Sequence, residues 1–188
     1  MLRVQACVED IDFRQRRGLD KGLVMSLAAC DWIKKRRNLI ITGPTGAGKT
    51  YLACALVHKA CLEGQNSLYR RLPNLLREIA IARGGGSYPK IMAAYAKAEL
   101  LALDDWGLDR LTREQALDFL ELLEDRHGLR STLVVAQGPV DHWHEIVGDP
   151  TLADAILDRL IHSAHKLNLK GESMRKKYSA FTKEEQEA

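Results

Sequence analysis

The sequence predicts an α/β fold, three layers deep, built on a mostly parallel five-stranded sheet. Three observations carry that expectation. Short apolar runs of strand length alternate with longer amphipathic segments, the pattern of successive strand–helix–strand units. The first central run, Asn38–Gly43, opens into a glycine-rich loop followed by a helix-forming stretch. A second run, Glu99–Asp105, ends on two aspartates, as a central strand does when its carboxyl end carries chemistry.

Taken in order, Leu19–Ile33 reads as a helix and Asn38–Gly43 as a buried strand. A helix from Lys49 to about Glu63 and a strand over Ser67–Arg71 follow. Pro73–Arg83 and Tyr88–Ala98 are helical, separated by the flexible break Gly84-Gly85-Gly86-Ser87. Thr112–His127 is a charged amphipathic helix that Thr112 or Asp109 can cap. Ser131–Gln137 is a β-branched strand closed by Gly138-Pro139, and Thr151–Ser163 is helical. Lys166–Leu169 makes a short last strand. The expected organisation is a linker and helix over 1–34, a core over 35–170 and a charged tail over 171–188.

The 188 residues suit one domain, and 46% hydrophobic with 28% charged residues is ordinary for a globular protein. No apolar run approaches the roughly 20 residues of a membrane span. Met1–Asp10 lacks a secretory signal, so the expected location is cytoplasmic, with no membrane partner. A net charge of +3 permits a nucleic-acid partner without demanding one. The four cysteines, Cys7, Cys30, Cys54 and Cys61, lack metal-site spacing and read as free thiols. Cys54 and Cys61 lie two helical turns apart and are both expected to face the core.

Gly43-Pro44-Thr45-Gly46-Ala47-Gly48-Lys49-Thr50 satisfies G-x-x-x-x-G-K-[ST] between a strand and a helix, the setting of a phosphate-binding loop. Glycines let the backbone wrap phosphates with amide hydrogens pointing inward, and the helix start adds favourable charge. Lys49 is expected to bridge the β- and γ-phosphates of ATP, and the Thr50 hydroxyl to ligate Mg²⁺. Tyr51 completes the nucleotide-contacting set. Asp104 is expected to hold Mg²⁺ through its water shell, and Asp105 to polarise the attacking water. Gln137, ending the next strand, can reach the γ-phosphate or that water, or serve as an ordinary strand-end residue. Together these predict a P-loop NTPase that hydrolyses ATP.

Between Arg70 and Lys97 stand Arg70, Arg71, Arg77, Arg83, Lys90 and Lys97 against one acid, Glu78. Such a basic insertion suits a DNA backbone, and without a base-reading motif its binding is insensitive to sequence. The competing reading is a solvated helix face, with Arg71 turned into the sheet edge. His142-Trp143-His144 and His162/His165 lack the accompanying ligands of a zinc site. Trp143 is expected to pack the chain against the sheet. Trp106 either packs near the nucleotide or is structural.

With these residues placed, the sequence resembles the AAA+ ATPases, in particular the IstB-type transposition helpers of IS21-family insertion sequences, relatives of the DnaC helicase loaders. The matching stretches are Arg17-Gly18-Leu19-Asp20, Gly43–Thr50 and Leu103-Asp104-Asp105-Trp106-Gly107. Two more specific blocks follow, Ala153–Leu160 and Leu169–Lys176. The resemblance runs from about Val8 to Lys177. It implies an AAA+ core with its helical lid reduced or absent, which assembles on duplex DNA with ATP into a ring or helix and recruits and stimulates an IS21-type transposase. It implies ATP at a subunit boundary, with Arg159 as an arginine finger reaching a neighbour's γ-phosphate and Arg126 as the competing finger. A plain ion pair with Asp158 or Asp154 is the alternative for Arg159. Arg175 resembles a second sensor arginine, and the basic insertion matches a region that faces DNA in such proteins. Asp105 replaces the glutamate of many AAA+ proteins, which implies slow hydrolysis suited to a switch. Little of the family's N-terminal region precedes the core, so transposase binding or clustering is expected to be impaired. A helicase loader is the second reading, and a small-molecule P-loop kinase a third that lacks its arginine-rich lid.

Overall fold

The computed structural model describes residues 2–15, 17–171 and 173. Its centre is a five-stranded sheet in the order β2-β3-β4-β1-β5, and every neighbouring pair is parallel. The strands are β1 (Leu39–Thr42), β2 (Ser67–Arg71), β3 (Leu100–Trp106), β4 (Ser131–Ala136) and β5 (His165–Asn168). Each lies within two residues of its predicted bounds. β1 and β4 are buried along their whole length, as strands covered on both faces must be.

Helices α1 (Lys21–Ala28), α2 (Asp31–Lys34) and α3 (Lys49–Leu62) cover one face. They pack on Leu39, Ile41, Leu100, Ala102, Leu133 and Val135, the alternate residues that point their way. Ala6, Val8 and Ile11 of the N-terminal stretch belong to the same cluster. The opposite face carries α4 (Leu72–Gly84), α5 (Tyr88–Lys97), α6 (Arg113–Arg126), α7 (Trp143–Val147) and α8 (Pro150–Ile161). Ile40, Leu101, Leu103 and Val134 point to these helices.

Three local features depart from the sequence expectation. The predicted helix over Leu19–Ile33 is two helices, because Cys30 takes a left-handed conformation with φ 60°. The Trp32 indole N–H donates to the Leu27 carbonyl at 2.9 Å and fastens that corner. After Gly138-Pro139 a 3₁₀ turn over Val140–His142 and then α7 form in place of a plain connection. Trp143 draws this segment inward, fully buried with its ring 5.1 Å from that of Trp106. Cys54 faces the core as expected, but Cys61 is exposed. It sits in the last turn of α3 beside the exposed Leu62, where the helix has run past the packed surface.

Arg126, the alternative finger, is committed to the interior. Its side chain is 1% exposed, at the end of a helix that Thr112 and Gln115 start with a reciprocal capping box. Its guanidinium donates to the carbonyls of Tyr95 (2.7 Å), Ala98 (2.8 Å) and Ser131 and to the Thr132 hydroxyl (3.1 Å). Burial pulls its pKa down to about 9, so the group is still charged at neutral pH. These bonds tie the end of α5 to the starts of β3 and β4, and they leave the guanidinium nothing to offer a neighbouring molecule. Replacing it strands several buried carbonyls, each worth about 1–3 kcal/mol when left unpaired. Arg126→Ala is therefore expected to lose about 3 kcal/mol or more in a denaturant-unfolding measurement.

Candidate nucleotide site

The phosphate loop runs from the carboxyl end of β1 into α3, and its turns depend on contacts from elsewhere in the chain. Gly43 has φ 141°, and a Cβ there would lie 2.3 Å from the Leu169 carbonyl oxygen. The strand-like approach of residue 169 therefore requires glycine at the mouth of the loop. Gly48 has φ 93°, and its missing Cβ is where the Arg17 guanidinium rests, 2.6 Å away. Arg17 is buried, donates to the Asp12 carbonyl at 2.8 Å and reaches the Ala47 carbonyl at 3.4 Å. It fastens the N-terminal stretch against the loop.

Lys49 opens α3 and is 7% exposed. Its ammonium donates to the carbonyls of Gly43 (2.6 Å) and Pro44 (2.8 Å), which hold it at the loop mouth. The Thr50 hydroxyl donates to Asp104 Oδ2 at 2.8 Å, so the start of α3 and the end of β3 meet. Asp104 is 2% exposed and takes two more hydrogen bonds, from the Tyr69 hydroxyl at 2.5 Å and the Asp105 backbone N–H at 2.8 Å. The Tyr69 phenol is pushed well above its ordinary value by burial and by its bond to this carboxylate. Thr50 and Asp104 make an all-oxygen pair at the loop, a donor set that suits a hard divalent cation such as Mg²⁺.

Asp105 lies within β3 but breaks its regular alternation. It adopts φ 63°, and the pairing of β3 with β4 slips by one residue between Leu103 and Trp106. That bulge turns Asp105 aside and sends Trp106 to the opposite face from Asp104. Trp106 is therefore core, packed on Phe119 and Trp143 with centroids 5.4 and 5.1 Å away, and distant in environment from the nucleotide loop. The Asp105 carboxylate is held by the Arg71 guanidinium and lies 3.3 Å from Arg3. The bonded carboxylate holds the Arg71 guanidinium above its ordinary pKa. Gln137, one residue past β4, is exposed, and its side-chain oxygen accepts from the Thr45 hydroxyl at 3.0 Å. Thus Thr45, Lys49, Thr50, Asp104, Asp105 and Gln137 gather at one edge of the sheet.

A cavity of about 410 Å³ opens beside the loop, within the size range of small-molecule sites. Gly46, Gly48, Lys49, Thr50 and Tyr51 line it from the loop side. Arg3, Val4, Asp10, Asp12 and Arg17 line it from the N-terminal stretch. Of these last, only Arg17 had a sequence signal, through Arg17-Gly18-Leu19-Asp20. Tyr69 had none, because only the sheet decides which strand lies beside the acidic one. Arg3, Asp10 and Asp12 had none, because an irregular segment announces no partner.

Arg159 lies far from this edge. Its backbone carbonyl accepts from Asn38, at the start of β1, so the residue sits at the amino end of the sheet. The guanidinium is 26% exposed and pairs with Glu124 at 2.5 Å and Asp158 at 3.7 Å. The Asp158 pairing is the alternative weighed for this residue, and Glu124 is a partner that sequence spacing could not suggest. Arg175 lies outside the described residues.

The basic insertion is divided. Arg83 pairs with the buried carboxylate of Asp118 and stacks over Tyr88 at 4.2 Å, which staples α4 to α6. Arg70 bonds the Tyr95 hydroxyl at 3.3 Å and lies 3.9 Å from Glu78. Arg71 serves Asp105, as above. Arg77, Lys90 and Lys97 are exposed and form no ion pair with a described residue. Of the histidine pairs, His144 bonds Asp154 at 3.0 Å and His142 faces Glu145 at 3.9 Å. Among the described residues no helix is long and apolar enough to cross a membrane.

The chain is 53% identical over 175 residues to an insertion-sequence ATP-binding protein of Sinorhizobium fredii, covering 93% of this chain and 71% of that one. It is 36% identical over 170 residues to the IS21 ATP-binding protein of Pseudomonas aeruginosa, covering 90% of this chain and 64% of that one. Among solved structures, DnaI superposes with a TM-score of 0.75 at 21% identity, covering 88% of this chain and 91% of that chain. The DnaC helicase loader superposes at 0.74 with 18% identity, over 88% and 97% of the two chains. At those identities the two structures share the fold: a parallel α/β P-loop sheet with flanking helices. Residues 1–182 match the family described as IstB-like ATP binding protein, and with its complete phosphate loop in place the chain belongs to that family.

Proposed function

We propose that this protein is a DNA-binding AAA+ ATPase that assembles on duplex DNA with ATP and recruits and stimulates the transposase of an IS21-type insertion sequence. The observation that carries the ATPase half is the meeting of Lys49, Thr50 and Asp104 at one sheet edge, with Thr50 and Asp104 2.8 Å apart. The insertion-sequence half is supported by membership of the IstB-like family.

In this reading the amides of Gly43–Thr50 and the Lys49 ammonium bind the phosphates, and Tyr51 borders the nucleotide. Thr50 and Asp104 would hold Mg²⁺, partly through water. Bound Mg²⁺ neutralises charge on the phosphate oxygens. Asp105 orients the attacking water, and Gln137 assists from the end of β4. Asp105 begins the cycle engaged by Arg71 and Arg3, so it must exchange those partners to accept a water proton. Arg159 stands at the opposite end of the sheet from its own phosphate loop, where only the nucleotide of an adjacent subunit could meet it. For that it gives up Glu124. The exposed Arg77, Lys90 and Lys97 are the DNA-facing cations best placed to act. Arg70 and Arg83 contribute only if their acidic partners release them.

A helicase-loader role is the second reading, supported by the superposition on DnaC. The two separate on their partners: a transposition helper responds to duplex DNA in the absence of any helicase.

ATP turnover should rise on adding duplex DNA, in parallel with growth of a nucleotide-dependent assembly measured by light scattering. ATP binding with neither response would remove the DNA half of the reading. Lys49→Ala should weaken ATP binding by about a hundredfold, the scale of deleting one member of a desolvated charge pair, and equilibrium binding reads this directly. Arg159→Ala should leave ATP affinity within about twofold while lowering assembled turnover by about a thousandfold, the scale of a lost arginine finger. Unchanged turnover in that variant would leave Arg159 as a partner of Glu124 only.

A further inference from the structure

Tyr69 belongs to none of the roles assigned above, yet it makes the shortest of the hydrogen bonds to Asp104. We propose that Tyr69 is the positioning residue of the cation site: its hydroxyl fixes the Asp104 carboxylate so that the Thr50 hydroxyl and one free lone pair point to Mg²⁺. The inference rests on the nucleotide reading of this site and deepens it.

In the parallel pairing of β2 with β3, Tyr69 stands opposite Ala102, and Arg71 stands opposite Asp104. Tyr69, Ala102 and Asp104 share the face that α3 covers, and Tyr69 lies one pleat behind Asp104, about 6.6 Å along the strand. Only a long, rigid side chain leaning along the strand spans that step with its polar end. The ring is 6% exposed and packed among the core residues below α3, so its hydroxyl is aimed by packing before any ligand arrives.

A carboxylate offers about four lone-pair positions. On Asp104, Oδ2 takes the hydroxyls of Tyr69 at 2.5 Å and Thr50 at 2.8 Å, and Oδ1 takes the Asp105 N–H at 2.8 Å. About one position then remains for a water of a bound cation. Three donors from β2, α3 and β3 also hold the carboxylate plane from three directions. Without the phenol the Oδ2 side keeps one hydrogen bond, from Thr50, which itself has to serve the cation, and the more distant Arg3 guanidinium at 3.8 Å. Partners of this kind, one step removed from the metal, commonly set affinity by about ten- to a hundredfold.

The test is Tyr69→Phe, which keeps the ring and removes only the hydroxyl. Binding of a fluorescent, non-hydrolysable ATP analogue is measured in EDTA and across a Mg²⁺ titration, alongside thermal melting. The expected result is unchanged binding in EDTA and a rise of about tenfold in the Mg²⁺ concentration giving half of the metal-dependent gain. Tyr69→Leu, which also loses the ring, should show the same Mg²⁺ shift with a lower melting temperature. An unshifted Mg²⁺ requirement in Tyr69→Phe overturns the proposal, as does a shift confined to Tyr69→Leu, which would assign the effect to packing. Failure of the unaltered protein to gain affinity with Mg²⁺ would instead overturn the nucleotide reading on which the proposal rests.

Discussion

The hydrogen bond between the Thr50 hydroxyl and Asp104 is the point at which the two halves of the nucleotide site become one. β1 and β3 are not neighbours, since β4 lies between them. Their ends come together only because all the strands run parallel and finish at one edge, where α3 starts from the loop after β1. A parallel sheet needs a crossover for each return, so its helices must cover both faces. The two core clusters follow from that requirement, and so does the position of the cavity, at the rim where the N-terminal stretch closes over the loop.

The acidic strand is also shaped by a conflict over faces. Asp104 has to reach the α3 side, whereas Trp106 carries too much apolar surface to leave outside the core on the other side. Residues two apart on a regular strand point the same way. The bulge at Asp105 resolves this by inserting one residue, at the cost of a left-handed conformation for a non-glycine side chain, of the order of 1 kcal/mol. Arg71 and Arg3 then occupy the displaced carboxylate. The residue nominated to orient water is thus already under strain and held by cations, a state from which a ligand can draw it. Asp104 and Asp105, adjacent in sequence and alike in chemistry, consequently stand in different environments, one enclosed by hydroxyls and the other gripped by guanidinium groups.

The arginines illustrate how unequal like residues become after folding. Arg126 is a buried brace between two strands and a helix, Arg83 a staple between helices, and Arg17 a backstop for the phosphate loop. Arg159 is the one finger candidate among the described residues that retains exposure, at the end of the sheet facing away from its own loop. Its ion pairs are of the partly exposed sort that cost little to exchange.

Sequence alone determined the layer architecture, the strand set and the phosphate loop, because each is written in local periodicity or in a contiguous motif whose spacing is set by chain geometry. It also determined Asp104 as a candidate, since an apolar run ending in acid is a local pattern. Tertiary structure decided the rest. That Tyr69 and not Arg71 serves Asp104, that Arg17 fills the space left by Gly48, and that Arg126 is spent on carbonyls all depend on register and packing between segments far apart in the chain. The break at Cys30 was equally invisible and the side taken by Trp106 was left open, because each is a compromise between local preference and the burial of a large ring. Side chains of one chemical type are interchangeable in a linear reading, and only the burial and neighbours that folding gives each one separate brace from ligand.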